Sequence, residues 1–158
     1  MKNKTYWIYN KYSIISALKN PERKVLDFIV EQDKREYYEK ILEENKIQKK
    51  KFKIKTVNKK LIIQKIGTLS KYQGAAILVE TLKKQSFNSI SSKKIKKNTI
   101  LILDKINDPN NLGAIIRTCV AFGIEDLIVP KYAVPEENGY ISSIASGALD
   151  TVKIYYTN

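Results

Sequence analysis

Residues 104–118 read DKINDPNNLGAIIRT and carry the side chains best suited to chemistry in this sequence: the carboxylates of Asp104 and Asp108, the amide of Asn111 and the guanidinium of Arg117. The chain has no His and a single Cys, Cys119. Imidazole bases, Ser-His and Cys-His nucleophile pairs, internal disulfides and Cys-built zinc cages are therefore excluded, and no metal site is expected. Any reaction must run on carboxylates, Lys, Arg, Tyr, backbone groups or a bound cofactor. Between Leu112 and Gly123 only Arg117 and Thr118 are polar. The spacing predicts a helix buried nearly all round, with Leu112, Ile115, Ile116, Cys119 and Val120 as its core stripe. A buried guanidinium needs an anion. Asp104 or Asp108 would supply one as an ion pair; a phosphate or a developing oxyanion would supply one as a substrate. Gly113, one turn back, is expected to leave room for the Arg117 side chain. Asn111 is expected at the helix N-cap, with Pro109 stiffening the loop before it.

The elements that must hold this segment follow from periodicity. Thr99–Leu103 is a continuous apolar run, as in a parallel strand buried on both faces. The polar loop and helix follow, with Gly123 as the stop. Asp126–Val129 is the next strand, Tyr140–Ala148 a second helix and Thr151–Tyr156 a third strand. Strand and helix in alternation imply a parallel sheet with right-handed crossovers, and the polar loop then lies at the carboxyl end of its first strand, where such sheets place ligands. The loop lacks G-x-G-x-x-G, which argues against a dinucleotide site. Three strands and two helices cannot cover both sheet faces, so this half is expected to be incomplete. The small residues Ala145, Ser146, Gly147 and Ala148 suit either tight packing or a cofactor or interface contact.

The first half reads differently. Tyr6–Tyr9, Val25–Val30, Phe52–Val57 and Ala75–Glu80 have strand character. A short helix carries Ile14, Ile15 and Leu18 and stops at Asn20-Pro21; Lys34–Lys50 is helical in spacing, and Asn58 caps a helix through Ile66. This is a small α/β sandwich. Residues 83–97, rich in Lys and Ser, read as a linker.

Charge separates the two halves. The chain has 158 residues and a net charge of +13. Residues 1–97 hold 25 basic and 9 acidic side chains, whereas residues 98–158 hold 4 and 7. An AT-rich coding sequence would raise Lys, Ile, Asn and Tyr alike, but drift should not sort charge between halves. A basic half of this kind points to an anionic partner, with nucleic acid first. No stretch approaches the roughly 20 apolar residues of a membrane span, and the N-terminus has no signal-type apolar core. A cytoplasmic protein without membrane contact is expected.

Taken together, these residues resemble the SpoU (TrmH-like) family of RNA ribose 2′-O-methyltransferases over nearly the whole chain. Residues 104–118 resemble its first motif, with Asp-Pro, Asn, Gly and then Arg in a helix. Ser146, Gly147 and Ala148, followed by Thr151 and Val152, resemble a later small-residue segment. Tyr72, Gln73 and Gly74, followed by Ala76 and Ile77, resemble the His-Gln-Gly segment of the family's RNA-substrate domain, with Tyr72 in place of His. Asn10 likewise replaces a usual Gly. The nearest subgroup methylates a guanosine ribose in large-subunit (23S) ribosomal RNA.

The resemblance implies an α/β fold: a ribosomal-protein-like RNA-binding domain at 1–82, a basic linker at 83–97, and the first part of a parallel, trefoil-knot type methyltransferase domain at 98–158. It implies methyl transfer from S-adenosylmethionine to a ribose 2′-oxygen, with Asn111 and Arg117 as the catalytic pair. A guanidinium does not readily lose its proton, so Arg117 is expected to stabilise charge and position phosphate rather than act as a base. Lys71, Gln73, Gly74, Lys93 and Lys94 are the expected RNA contacts. Ribosomal RNA and a second copy, paired through the catalytic domain, are the expected partners. The knot and the cofactor-binding residues are expected beyond Asn158. The alternative is a non-catalytic RNA-binding module, or an inactive fragment lacking the cofactor pocket.

Overall fold

The computed structural model describes residues 4–48, 52–67, 72–91, 99–132 and 134–157. The first unit is a four-stranded sheet in the order β1-β4-β2-β3, built from β1 (Thr5–Ile8), β2 (Val25–Glu31), β3 (Ile54–Val57) and β4 (Ala75–Glu80). β4 runs antiparallel to β1 and β2, and β3 runs parallel to β2. Alternation along the strands sends Phe28, Val30, Ile77 and Val79 to one face, under α1 (Lys11–Lys19) and α2 (Arg35–Glu44). Ile29 and Ala76 turn to the other face and meet Ile62 of α3 (Lys59–Ile66).

The local signals of this half act largely as their chemistry suggests. Asn58 Oδ1 accepts from the Leu61 amide at 2.8 Å and starts α3. Asn10, where the resemblance leads one to expect Gly, caps α1 by accepting from Tyr12 and Ser13 amides, at an ordinary φ of −92°. The helix expected through Lys50 ends earlier, at Glu44. Asn45 folds its amide back onto the Ile41 carbonyl, and Lys46 enters the left-handed region.

The second unit is an all-parallel sheet in the order β5-β8-β7-β6, formed by β5 (Gln85–Ser86), β6 (Ile100–Ile102), β7 (Asp126–Pro130) and β8 (Lys153–Thr157). One face packs Leu127 and Val129 against α5 (Pro109–Ala121) and α6 (Gly139–Ala145), with Leu112, Ile116 and Cys119 in the same core. Two expectations are corrected here. The supposed linker contributes β5 and a short helix, α4 (Asn88–Ser91), whose Ile90 covers Ile128 and Tyr155 on the opposite face. That face is therefore not bare. Conversely, the apolar run at residues 99–103 is not a strand buried on both sides: β6 is an edge strand, and Ile102 is 69% exposed.

The two units meet along a polar, tightly fitted seam. Arg23 has a fully buried side chain, donates from Nε to Asp150 Oδ1 at 2.8 Å, and pairs through Nη1 with Glu137. Asn20 donates to the same Asp150 oxygen at 3.0 Å, and the Tyr6 hydroxyl donates to Glu137. Burial raises the Asp150 carboxyl above the ordinary range, against the opposing pull of Arg23. Ser13 Oγ donates to the Ser142 carbonyl at 2.6 Å. At Gly147, with φ +95°, an added Cβ would lie 2.8 Å from the Tyr12 carbonyl oxygen, and at Gly139 it would collide with the Trp7 carbonyl oxygen. The small-residue segment therefore serves close approach of α1, one of the roles its composition allows.

Candidate active-site helix and RNA interface

α5 begins one turn earlier than the cap expected from sequence. Pro109 occupies its first turn, where a missing N–H costs nothing, and Asp108 is the N-cap, accepting from the Asn110 amide at 3.1 Å. Asn111 is thus inside the first turn, exposed, rather than capping the helix. Its neighbour Asn110 accepts from the Tyr140 hydroxyl at 2.8 Å, which ties the starts of α5 and α6 together.

Arg117 is also exposed, and among the described residues it forms no ion pair with Asp104 or Asp108. The helix buried nearly all round is not observed: Arg117, Thr118, Ala121 and Phe122 face outward, and Phe122 is 79% exposed. Nor does Gly113 make room for Arg117. A Cβ there would sit 2.7 Å from Ile144 Cγ2, so this glycine sets the close packing of α5 on α6. Asn111 and Arg117 thus both lie exposed on one helix. Cys119 is buried in the core, where burial pushes its thiol pKa up and away from reactivity.

On the basic half, Gln73 and Gly74 lie immediately before β4, with Gln73 beside the N-terminus of α1. Gln73 Oε1 accepts from the Lys11 amide at 2.9 Å, and its carbonyl accepts from the Tyr38 hydroxyl at 2.9 Å. Gly74, at φ +87°, lies under the Lys34 side chain, which a Cβ would displace. Gln73 and Gly74 line one of two grooves that share Tyr37 as a wall. One, of about 440 Å³, runs between α1 and α2 past Lys11 and Tyr12; the other, of about 400 Å³, holds Lys34, Lys59, Tyr72 and Gln73. Glu44 and Glu31 contribute one carboxylate to each. Burial and the neighbouring Glu31 raise the Tyr72 phenol well above its ordinary pKa, so it stays a neutral hydroxyl. Lys71, Lys93 and Lys94, the other expected RNA contacts, lie outside the described residues.

Sequence reasoning did not place Tyr12 and Tyr37 in these grooves or Arg23 in the buried seam. For the tyrosines the signal was present, as aromatic residues beside lysines on short helices. For Arg23 there was none, because its partners lie 114 and 127 residues away.

Residues 98–158 match the SpoU rRNA Methylase family. A 23S rRNA (guanosine-2′-O-)-methyltransferase of Nitrosomonas europaea is 32% identical over 92 residues, covering 58% of this chain and 35% of that protein. The enzyme of the same name from Xylella fastidiosa is 25% identical over 157 residues, covering 98% of this chain and 62% of that protein. Among solved structures, an AdoMet-bound rRNA methyltransferase from Sinorhizobium meliloti superposes with a TM-score of 0.72 at 20% identity, over 96% of this chain and 54% of that one. The SpoU methyltransferase AviRb from Streptomyces viridochromogenes gives 0.73 at 15% identity, over 97% and 55%. At these identities the superpositions establish a shared α/β fold. The chain spans about half the length of those structures.

Proposed function

From the match of residues 98–158 to the SpoU rRNA Methylase family, we propose that the chain recognises RNA for ribose 2′-O-methylation, and that residues 4–157 by themselves act as an RNA-binding module. The observation that carries this reading is the pairing of that family match with a first half of 25 basic and 9 acidic side chains. The basic half holds the RNA, ribosomal RNA being the substrate class named for the relatives. Asn111 and Arg117 face outward on α5, where an amide and a permanent cation would orient a ribose and its phosphate.

S-adenosylmethionine is the methyl donor of this reading, and when bound it supplies an activated methyl group. The described residues do not by themselves fit it. Asn111 and Arg117 are exposed, and the apolar side chains Ile102 and Phe122 of the same unit are open to solvent instead of enclosing an adenine-sized cavity. No catalytic step is therefore assigned to these residues alone. Pairing with a second copy through this half, whose exposed apolar residues would be covered, belongs to the same proposal. No helix among the described residues is long and apolar enough to cross a membrane.

The reading is tested by titrating the 158-residue chain with structured ribosomal RNA at several salt concentrations and, in parallel, with S-adenosylmethionine in a calorimeter. RNA affinity should fall steeply as salt rises, because lysines displace condensed counterions. The cofactor should give no binding heat. Salt-independent RNA binding, or none, contradicts the RNA assignment; tight cofactor binding shows that the described residues do form its pocket.

A further inference from the structure

We propose that the paired grooves at Tyr37 form a stacking platform for unpaired nucleotides of an RNA, with Tyr12 and Tyr37 as the two ring surfaces. This rests on the reading of the basic half as an RNA holder and goes further by naming the form of RNA it takes.

The geometry points to bases rather than to a duplex backbone alone. Tyr12 and Tyr37 are 55% and 46% exposed, large aromatic areas to leave in water on a well-packed domain. Their neighbour Tyr38, fully buried, meets the Tyr37 ring edge-on, with centroids 5.4 Å apart and planes at 87°, and is itself anchored by its hydroxyl on the Gln73 carbonyl. Tyr37 is thus presented from a fixed base, and little freedom is lost when a ligand stacks on it. Lys11 lies between the two rings. Its Nζ is 4.7 Å from the Tyr12 centroid and 6.0 Å from that of Tyr37, and it donates to the Tyr37 hydroxyl at 3.3 Å. A cation set between two aromatic surfaces suits the phosphate that joins two consecutive stacked bases. Lys34 and Lys59 continue the positive charge along the second groove.

Volumes of about 440 and 400 Å³ fall within the usual small-ligand range of about 300–1,000 Å³, enough for a base splayed out of a strand. Bases inside an A-form helix are stacked on one another and cannot reach such rings. The occupant is therefore a single-stranded loop, bulge or end.

The test uses the 158-residue chain, a labelled single-stranded oligoribonucleotide and a blunt RNA duplex of equal length, read by fluorescence anisotropy. The double substitution Tyr12→Ala with Tyr37→Ala should weaken single-strand binding roughly tenfold or more, and duplex binding by no more than about twofold. Tyr37→Phe, which keeps the ring, should retain single-strand affinity, whereas Tyr37→Leu should lose it. Tyr132→Ala, at a tyrosine 90% exposed on the other unit, should change nothing. Thermal melts show whether each variant is folded. Should Tyr37→Phe and Tyr37→Leu behave alike, or the double variant bind single strands as tightly as the parent, the platform is wrong while the RNA reading stands. A parent chain that binds neither RNA overturns both.

Discussion

Arg23 and Arg117 occupy opposite kinds of environment. Arg23 is sealed in the seam between the two units and paired with Asp150 and Glu137; Arg117 stands on the outer side of α5, exposed and, among the described residues, unpaired. A buried guanidinium needs an anion, and the structure obeys that rule at the arginine whose surroundings gave no sequence cue. Arg23 sits in a polar stretch, next to Glu22 and Lys24, whereas Arg117 sits in an apolar helix. Helix apolarity signals that one face is buried; it does not place every side chain of that helix inside. The two arginines also divide stability from function. One holds the first unit against the second, and the other stands exposed, where the proposed reading has it meet a ligand.

The largest effect expected from this contrast is at the seam. Arg23→Ala should cost about 3–5 kcal/mol, because it leaves Asp150 and Glu137 with uncompensated charge in a buried site. Chemical denaturation measures this, and a loss below 1 kcal/mol would show that solvent reaches the seam. The deficit should also depend on pH. The Asp150 carboxyl is already raised by burial, and a group raised in the folded state favours folding below its unfolded pKa and loses that contribution as pH rises through the folded one. Without Arg23 the carboxyl rises further, so acidification should shrink the gap between variant and parent. A deficit that widens as the pH falls would contradict the assignment.

Gly113→Ala should be intermediate. The added methyl meets Ile144 at 2.7 Å and forces α5 away from α6, at a cost of about 1–3 kcal/mol. The smallest effect should be that of Arg117→Ala, within about 0.5 kcal/mol, since its side chain is exposed and, among the described residues, has no ion pair. In a chain carrying a complete catalytic domain, the same substitution should abolish methyl transfer and spare RNA binding. Retained transfer would remove Arg117 from the site.

Much of the architecture was legible because local chemistry decided it. Asn58 as a cap, Asn20-Pro21 as a stop, and the alternation of Phe28, Ile29 and Val30 between faces all act within a few residues. What escaped depends on distant chain. Gln85 and Ser86 form a strand only because β8 offers its edge, so a Lys- and Ser-rich stretch hid part of a sheet. Gly113 resembled space for its neighbour because the side chain of Ile144, thirty-one positions on, was not in view. At the start of α5, Pro109 moved the cap to Asp108, one turn before Asn111, a choice between cap formers that spacing could not settle. The exposure of the first-motif residues Asn111 and Arg117 likewise escaped, because an apolar helix sequence does not say which of its faces meets the core.

Ultraviolet cross-linking of RNA to the 158-residue chain, with the linked peptides mapped by mass spectrometry, tests the central claim most directly: that the basic half holds the RNA. Cross-links should concentrate between Lys11 and Gly74, with Tyr12 and Tyr37 among the modified residues. Cross-links confined to residues 99–157 would contradict it.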